Sequence, residues 1–187
     1  RAIHILRGAM NYMPAQSQLF SIGWCFGGGW SLQTAIMGGE RAAGAVMFYG
    51  MPEQKQDKLQ LLQCDVLGIF ASKDQWITPQ VYQQFDADMK EAGKTLEMQV
   101  YDADHAFANP SSQRYNETAA QDAYEKVNEF IKNNSSLGFF DPPELKSDFA
   151  IVLHKGSSLL PEFNEAIKKL QKDEKFEGLV NRWLKID

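Results

Sequence analysis

SIGWCFGGGW (residues 21–30) is the stretch of this sequence that decides the fold. An apolar run ends at Gly23, and a cysteine, Cys25, and then three glycines follow it. A strand that turns sharply into a helix needs glycines on either side of the turn, because β-carbons there would clash. The pattern therefore predicts a strand over 18–23, a helix over 27–38, and a Cys25 side chain lifted above the end of the strand.

Cys25 fits two interpretations. It is either a small filler at a tight turn, as buried free cysteines often are, or a nucleophile on a nucleophile elbow, with cysteine in place of serine. The first amides of the following helix point towards the same spot, where they would stabilise an anion. On the second interpretation the thiol ionises more easily than its usual pKa of ~8.5 implies, and the amide of Phe26 is half of an oxyanion hole.

Short apolar runs alternate with longer amphipathic ones over residues 1–134. Further strands are predicted over 43–49, 65–71 and 95–101, and further helices over 79–92 and 112–132. The first strands are apolar nearly throughout, as strands covered on both faces should be. The alternation predicts an α/β fold, a three-layer sandwich in which a mostly parallel sheet carries helices on both faces.

Two chemically useful side chains follow predicted strands. Asp74 comes just after strand 65–71, and His105 comes just after strand 95–101. Open α/β sheets build their sites at the carboxyl ends of strands, and the chain order of nucleophile, acid and histidine is that of α/β-hydrolases. In this hypothesis His105 takes the thiol proton and Asp74 orients the imidazole. Taken singly, Asp74 also fits a turn former or helix cap, and His105 a structural loop residue.

Other residues compete for these roles. His4 precedes any recognisable strand, and His154 has no acid motif nearby. Asp102 and Asp104 are alternatives to Asp74, but they lie so close to His105 that we expect them to shape its turn. Three scattered histidines do not supply a metal site, so we expect neither a metal nor a cofactor.

The bulk properties exclude several classes of partner. The chain has 187 residues and a formal net charge of −5, which argues against nucleic acid or an acidic membrane surface as a partner. It contains no apolar run long enough to span a bilayer and no signal-peptide pattern at its N-terminus. Cys25 and Cys64 show no metal spacing. We expect free thiols in a reducing compartment, the cytoplasm, rather than a disulfide.

The chain changes character after residue 134. The residues over 135–147 are polar, turn-prone and rich in proline, which predicts a linker. The segment beyond is predicted to contain one strand and two helices, over 148–153, 158–171 and 174–185. Because a unit of ~40 residues buries too little surface to fold alone, we expect residues 148–187 to dock on the first portion.

Residues 1 to about 134 resemble the C-terminal half of the dienelactone hydrolase family. The matching stretches are IGWCFGGGWSLQTA, GAVMFYG, VLGIFASKDQWITP and YDADHAFANPSSQRYNETAAQDAYEKVNEFIK. The family consists of α/β-hydrolases that open enol-lactones and related esters with a Cys–His–Asp triad. The resemblance implies Cys25 as nucleophile, His105 as base and Asp74 as acid, acting on a small-molecule ester or lactone.

The resemblance also bears on residues around the pocket. Tyr49 falls where the family often places an aromatic residue near the substrate, although a core position would suit it equally. Phe107 and Arg114 follow His105, and either could face the substrate, pack in the core or meet solvent.

Full members of the family have further strands before this point. Those strands supply the second oxyanion amide and part of the pocket wall, so we expect weak turnover or none. The alternative is a catalytically idle scaffold, chimeric or truncated. In either case strand 18–23 would be an exposed, apolar edge of the sheet.

Residues 139–187 resemble a different group, the C-terminal end of periplasmic amino-acid-type solute-binding proteins. The resemblance rests on DFAIVLHKGSSLLPEFNEAIKKLQKDEKFEGLVNRWL and implies no ligand-binding residue, because that group binds its ligand with earlier segments. Two unrelated pieces in one chain suggest a chimera. We expect strand 148–153 to pair with strand 18–23, giving a five-stranded flavodoxin-like layer. Strand exchange between two chains, giving a homodimer, is the alternative.

Overall fold

Four parallel strands form the sheet of this protein. The computed structural model describes residues 2–134 and Glu165. The strands are β1 (Leu19–Trp24), β2 (Ala42–Phe48), β3 (Val66–Ala71) and β4 (Leu96–Tyr101). They lie in the order β1-β2-β3-β4, and every neighbouring pair is parallel. The predicted α/β fold with a parallel sheet is confirmed.

Helices connect the strands and cover both faces of the sheet. They are α1 (Ala2–Tyr12), α2 (Phe26–Gly38), a 3₁₀ turn (Gly39–Arg41), α3 (Gln56–Leu59), α4 (Pro79–Glu91) and α5 (Glu117–Asn134). Side chains of α2 and α4 pack with Met47 and Phe70 on one face of the sheet, while α5 packs with Val46 and Ile69 on the other. Because the strands succeed one another in one direction, right-handed crossovers put α2 and α4 on the same face.

Within residues 2–134, the predicted strands and helices match the structure closely, with one exception. The predicted helix over 112–132 begins five residues later, at Glu117. The reason is local, because the Asn116 side chain accepts a hydrogen bond from the Ala119 amide at 3.1 Å and so caps the helix. The residues before it form turns, in which the Ser112 amide donates to the Asn109 carbonyl at 2.9 Å.

Within residues 2–134, strand β1 pairs with β2 and with no other described strand. It is therefore an edge of the described sheet, as the sequence predicts. The predicted linker over 135–147, strand over 148–153 and helices over 158–171 and 174–185 lie outside the described residues. In the part of the chain that is described, none of the helices combines the length and the apolar character needed to cross a membrane.

Candidate active site

The link between β1 and α2 is a sharp turn centred on Cys25. The backbone of Cys25 has φ 53° and ψ −121°, which L-residues seldom adopt. Its amide donates to the Phe48 carbonyl of β2 at 3.0 Å, and its carbonyl accepts from the Gly28 amide at 3.0 Å. A β-carbon on Gly23 would lie 2.0 Å from the Gly27 carbonyl oxygen, so residue 23 has to be glycine. The turn predicted from the sequence is present.

Cys25, His105 and Asp74 form a connected line of side chains. The Cys25 Sγ lies 3.0 Å from the His105 Nε2, and the His105 Nδ1 lies 2.6 Å from the Asp74 Oδ2. The structure therefore brings together the three residues that the sequence singled out. Since the three follow β1, β3 and β4, all of them lie at the carboxyl edge of the sheet.

Asp74 also fixes the turn that carries it. Its second oxygen, Oδ1, accepts hydrogen bonds from the amides of Trp76 at 2.8 Å and Ile77 at 3.0 Å. The residue is 2% exposed, and its carboxylate is satisfied by these amides together with His105. The two interpretations of Asp74, turn former and histidine partner, therefore apply at once.

The competing residues lie elsewhere. Asp102 pairs with Lys73 at 3.1 Å and accepts from the Ser72 hydroxyl at 3.3 Å on the exposed surface. His4 is exposed on α1, and His154 lies outside the described residues. Within residues 2–134, no group of three or more histidine, cysteine or acidic side chains is arranged to bind a metal ion.

The expectation of an easily ionised thiol is not met. Burial raises the pKa of the Cys25 thiol, and the negative charge of Asp74 raises it further. Burial costs the thiolate its hydration, and Asp74 is an additional like charge. Both effects favour the protonated form of the Cys25 thiol in this geometry.

Strained backbone is concentrated around these side chains. In the described part of the chain, the non-glycine residues with positive φ are Cys25 at 53°, Tyr49 at 36° and Ala106 at 65°. They come directly after β1, directly after β2 and directly after His105. Such strain persists only where the surrounding structure enforces it, and it tends to cluster at functional sites.

Tyr49 lies beside the histidine. Its ring is 5.0 Å from the His105 ring, and the residue is almost fully buried. Burial raises the pKa of the Tyr49 phenol, and the nearby Cys25 and Tyr124 raise it further, outweighing a backbone hydrogen bond from Ala108 that lowers it. The phenol therefore stays protonated and is available as a hydrogen-bond donor.

A cleft of about 510 Å³ opens above the sulfur and the imidazole. The residues that line it are Cys25, Phe26, Gly29, Trp30, Gln33, Tyr49, Met51, Trp76, Ile77, His105 and Arg114. Phe26, Tyr49 and Arg114 thus lie where the sequence suggested contact with a substrate. Phe107 does not, because it is 0% exposed and packs behind Tyr49, with 5.5 Å between the ring centres.

Trp76 and Gln33 are among the cleft residues that sequence reasoning missed. The Trp76 ring lies edge-to-face on His105 at 5.1 Å, and the Arg114 guanidinium lies over the same indole at 5.7 Å. The position of Trp76, two residues after Asp74, could have identified it as a cleft residue from the sequence. Gln33 comes one helical repeat after Gly29 and Trp30 on α2, so the periodicity of that helix could have identified it.

The parallel sheet, the sharp turn and the cleft at its carboxyl edge define the α/β-hydrolase class. A model of the dienelactone hydrolase family matches residues 2–135. The chain therefore belongs to the dienelactone hydrolase family. The matched region ends at residue 135, so the resemblance of residues 139–187 to solute-binding proteins stays a prediction.

Individual relatives agree with this assignment. A Saccharolobus solfataricus protein, provisionally assigned as a carboxymethylenebutenolidase, is 33% identical over 130 residues, which are 68% of this chain and 49% of that protein. A carboxymethylenebutenolidase of a Pseudomonas species is 25% identical over 118 residues, 63% of this chain and 48% of that one. The crystal structure of a Klebsiella pneumoniae protein, provisionally assigned as a dienelactone hydrolase, is 25% identical with a TM-score of 0.60, covering 70% of this chain and 58% of that one. The chain thus spans about half the length of the curated relatives it matches.

Proposed function

We propose that this protein is a thiol hydrolase of the dienelactone hydrolase type, which cleaves a small ester or enol-lactone. The observation that supports this most directly is the line from the Cys25 sulfur through the His105 ring to Asp74, with gaps of 3.0 and 2.6 Å, beneath an open cleft. Distances of this size are those of a nucleophile, its general base and the group that orients the base.

The first half of the reaction forms a thioester. The Cys25 sulfur attacks the carbonyl carbon while the His105 Nε2 takes the thiol proton, and the Asp74 carboxylate stabilises the imidazolium. The amide of Phe26, at the first position of α2, donates to the oxyanion of the tetrahedral intermediate. The intermediate collapses when the carbon–oxygen bond of the leaving alcohol breaks and His105 returns the proton to that oxygen.

The second half of the reaction releases the acid. His105 removes a proton from a water molecule, whose oxygen attacks the thioester carbonyl and expels the Cys25 sulfur, which recovers the proton. With an open ester the products are an alcohol and an acid. With a lactone the leaving oxygen stays attached to the acyl chain, so the product is a single ring-opened acid.

The walls of the cleft support a mainly apolar substrate that carries a negative group. Aromatic and aliphatic side chains line the cleft, among them Trp30, Met51 and Ile77. Among the described residues that line the cleft, Arg114 carries a permanent charge. A guanidinium can bind a carboxylate through two parallel hydrogen bonds. The relatives named as carboxymethylenebutenolidases are consistent with a lactone of this kind.

The test is hydrolysis of p-nitrophenyl acetate by the purified 187-residue chain, compared with Cys25→Ala and with the matched control Cys64→Ala. Cys64 is the other free thiol, half-buried away from the cleft, and burial raises its pKa to about 11. We expect loss of turnover in Cys25→Ala, the wild-type rate in Cys64→Ala, and an acetyl group on Cys25 by mass spectrometry. Equal rates in the wild type and Cys25→Ala would contradict the proposal and favour the idle scaffold.

The rate of this chain is a separate question. The sequence predicts weak turnover, because loss of one oxyanion donor costs ~10²–10³-fold in a comparable setting. A slow rate that still depends on Cys25 would agree with both the proposed chemistry and that prediction.

A further inference from the structure

One face of α2 forms a wall of the cleft. The polar side chain on this face, Gln33, takes no part in the reaction proposed above. Phe26, Gly29, Trp30 and Gln33 all line the cleft and recur at intervals of three and four residues, which is one stripe of a helix. Gln33 is half-buried at the end of this stripe furthest from Cys25. Among the described residues that line the cleft, Gln33 is the one that carries a side-chain amide.

Gln33 is oriented by a carboxylate whose two oxygens each accept two hydrogen bonds. The Glu53 Oε2 accepts from the Gln33 Nε2 at 2.9 Å and from the Lys58 Nζ at 2.8 Å. The Glu53 Oε1 accepts from the amides of Gln54 at 3.0 Å and Lys55 at 3.1 Å. With its acceptor positions used and its side chain 10% exposed, Glu53 has a single arrangement.

Glu53 is a carboxylate at the neutral pH at which hydrolysis is assayed. Burial acts to raise the pKa of Glu53, but the hydrogen bonds from Lys58, Gln33 and the Lys55 amide outweigh it and lower the pKa to about 2. A carboxylate accepts hydrogen bonds and donates none. The Gln33 group directed at Glu53 is therefore its NH₂ group, so Glu53 does not use the carbonyl oxygen of this cleft-lining residue.

We propose that Gln33 is a specificity-determining residue of this cleft, whose side-chain carbonyl accepts a hydrogen bond from a hydroxyl or N–H group on the substrate; this rests on the hydrolase function proposed above. An α-helix rises about 1.5 Å per residue, so Gln33 begins roughly 12 Å along the axis from Cys25. Helical side chains lean back towards the N-terminus. The donor group on the substrate therefore lies several bonds away from the carbonyl that Cys25 attacks.

The competing explanation is that Gln33 serves only to join α2 to the loop that carries Glu53. Replacement of Gln33 would then change stability and overall rate, but it would affect substrates with and without a donor equally. Selectivity between two substrates that differ by one hydroxyl group separates the two roles, because folding defects cancel in the ratio.

The first arm compares hydrolysis of p-nitrophenyl 6-hydroxyhexanoate and p-nitrophenyl heptanoate, in which a methyl group replaces the hydroxyl. A neutral hydrogen bond corresponds to about a three- to tenfold preference, so we expect the wild type to favour the hydroxy-ester in kcat/KM by that factor. Gln33→Met, which keeps the length of the side chain, loses the preference. Gln83→Met, an equivalent change on the exposed surface of α4, keeps it. An unchanged ratio in Gln33→Met would overturn the inference.

The second arm does not depend on turnover. Affinities of the same two esters are measured by ligand-observed NMR in Cys25→Ala and in Cys25→Ala combined with Gln33→Met. If Cys25→Ala binds the hydroxy-ester more tightly than the heptanoate and the double variant does not, the role of Gln33 is supported. If the ratio of the two affinities is the same in both variants, the role is overturned. Absence of hydrolysis by the wild type would instead contradict the proposed function, and the binding arm would still decide the role of Gln33.

Discussion

At the scale of single residues, Asp74 is bound from two sides. One carboxylate oxygen faces the His105 Nδ1, and the other accepts the amides of Trp76 and Ile77. Because the two oxygens are used separately, the contribution to the turn can be kept while the contribution to the histidine is removed.

Asp74→Asn makes this separation. Asparagine retains one side-chain oxygen for the two amides, while its NH₂ group faces the His105 Nδ1 and favours the tautomer with the proton on Nε2. That tautomer cannot accept the Cys25 proton, so we expect kcat to fall by roughly 10³–10⁴-fold with little change in Tm. An unchanged kcat would show that Asp74 serves the turn alone.

The sequence was sufficient to predict that these side chains lie together, but not that the pKa of the Cys25 thiol is raised. The glycine pattern and the strand ends predict where Cys25, Asp74 and His105 lie. The thiol pKa depends on burial and on the charge of Asp74, which are properties of the folded chain. For the same reason, the sequence could not distinguish Arg114, which lines the cleft, from Phe107, which is buried in the core.

At the scale of elements, the turn from β1 into α2 depends on one glycine more than on the others. A β-carbon on Gly23 would clash with the Gly27 carbonyl, whereas a β-carbon on Gly27 has nothing within 4 Å. The two positions are four residues apart in the same motif, which makes Gly27 a matched control for Gly23.

We expect Gly23→Ala to lower the free energy of unfolding by more than about 3 kcal/mol, because the backbone of the turn has to move. Gly27→Ala should change it by less than about 1 kcal/mol, since alanine favours the first turn of a helix. Urea denaturation of both variants measures the difference. Similar stabilities would show that the turn adapts to a side chain at position 23.

The loop after β2 is attached to α2 by Glu53, and this attachment makes stability depend on pH. The pKa of Glu53 is lowered from its usual 4.5 to about 2. Because the pKa of Glu53 is lower in the folded state, ionisation of Glu53 stabilises that state. This contribution to the free energy of unfolding is complete above pH 4.5 and is lost as the pH falls towards 2.

Glu53→Gln should therefore be less stable than the wild type at neutral pH, and the difference in Tm should close as the pH falls through that range. Glu40→Gln, at an exposed glutamate in the 3₁₀ turn, provides the control and should give a small difference at every pH. Thermal unfolding followed by circular dichroism at a series of pH values measures both. A difference for Glu53→Gln that stays constant down to pH 2 would contradict the assignment.

Element boundaries were predictable where a periodic pattern was strong and a cap was plain. Thr78 and Pro79 marked the start of α4 in the sequence, and the helix begins at Pro79. The predicted start of α5, at residue 112, was wrong, because Asn116 was not recognised as the cap of this helix among several turn-forming residues. The register of the sheet, which sets the four strand ends side by side, could only come from the structure.

At the scale of the whole molecule, β1 is an edge of the described sheet, and half of its amides face away from β2. The predicted pairing of strand 148–153 with this edge stays a prediction, since that segment lies outside the described residues. If it is correct, the amides of β1 in the full chain exchange with solvent about as slowly as those of the inner strand β3.

Hydrogen exchange by mass spectrometry tests this, with Ile151→Pro as the variant, because proline removes a donor and disrupts a strand. We expect faster exchange in β1 and unchanged exchange in β3. Equal exchange of β1 in the wild type and the variant would exclude the pairing. Exchange that slows at higher protein concentration would indicate that a second copy covers the edge.

The backbone at Cys25 restricts which residues could serve as the proposed nucleophile at this position. At φ 53° a β-branched side chain is a severe outlier, so threonine is excluded on steric grounds before its reactivity matters. Serine has the same branching as cysteine and could replace it by a single substitution without rebuilding the turn. A lineage that carries this turn can therefore exchange sulfur for oxygen chemistry in one step, but it cannot reach a secondary alcohol.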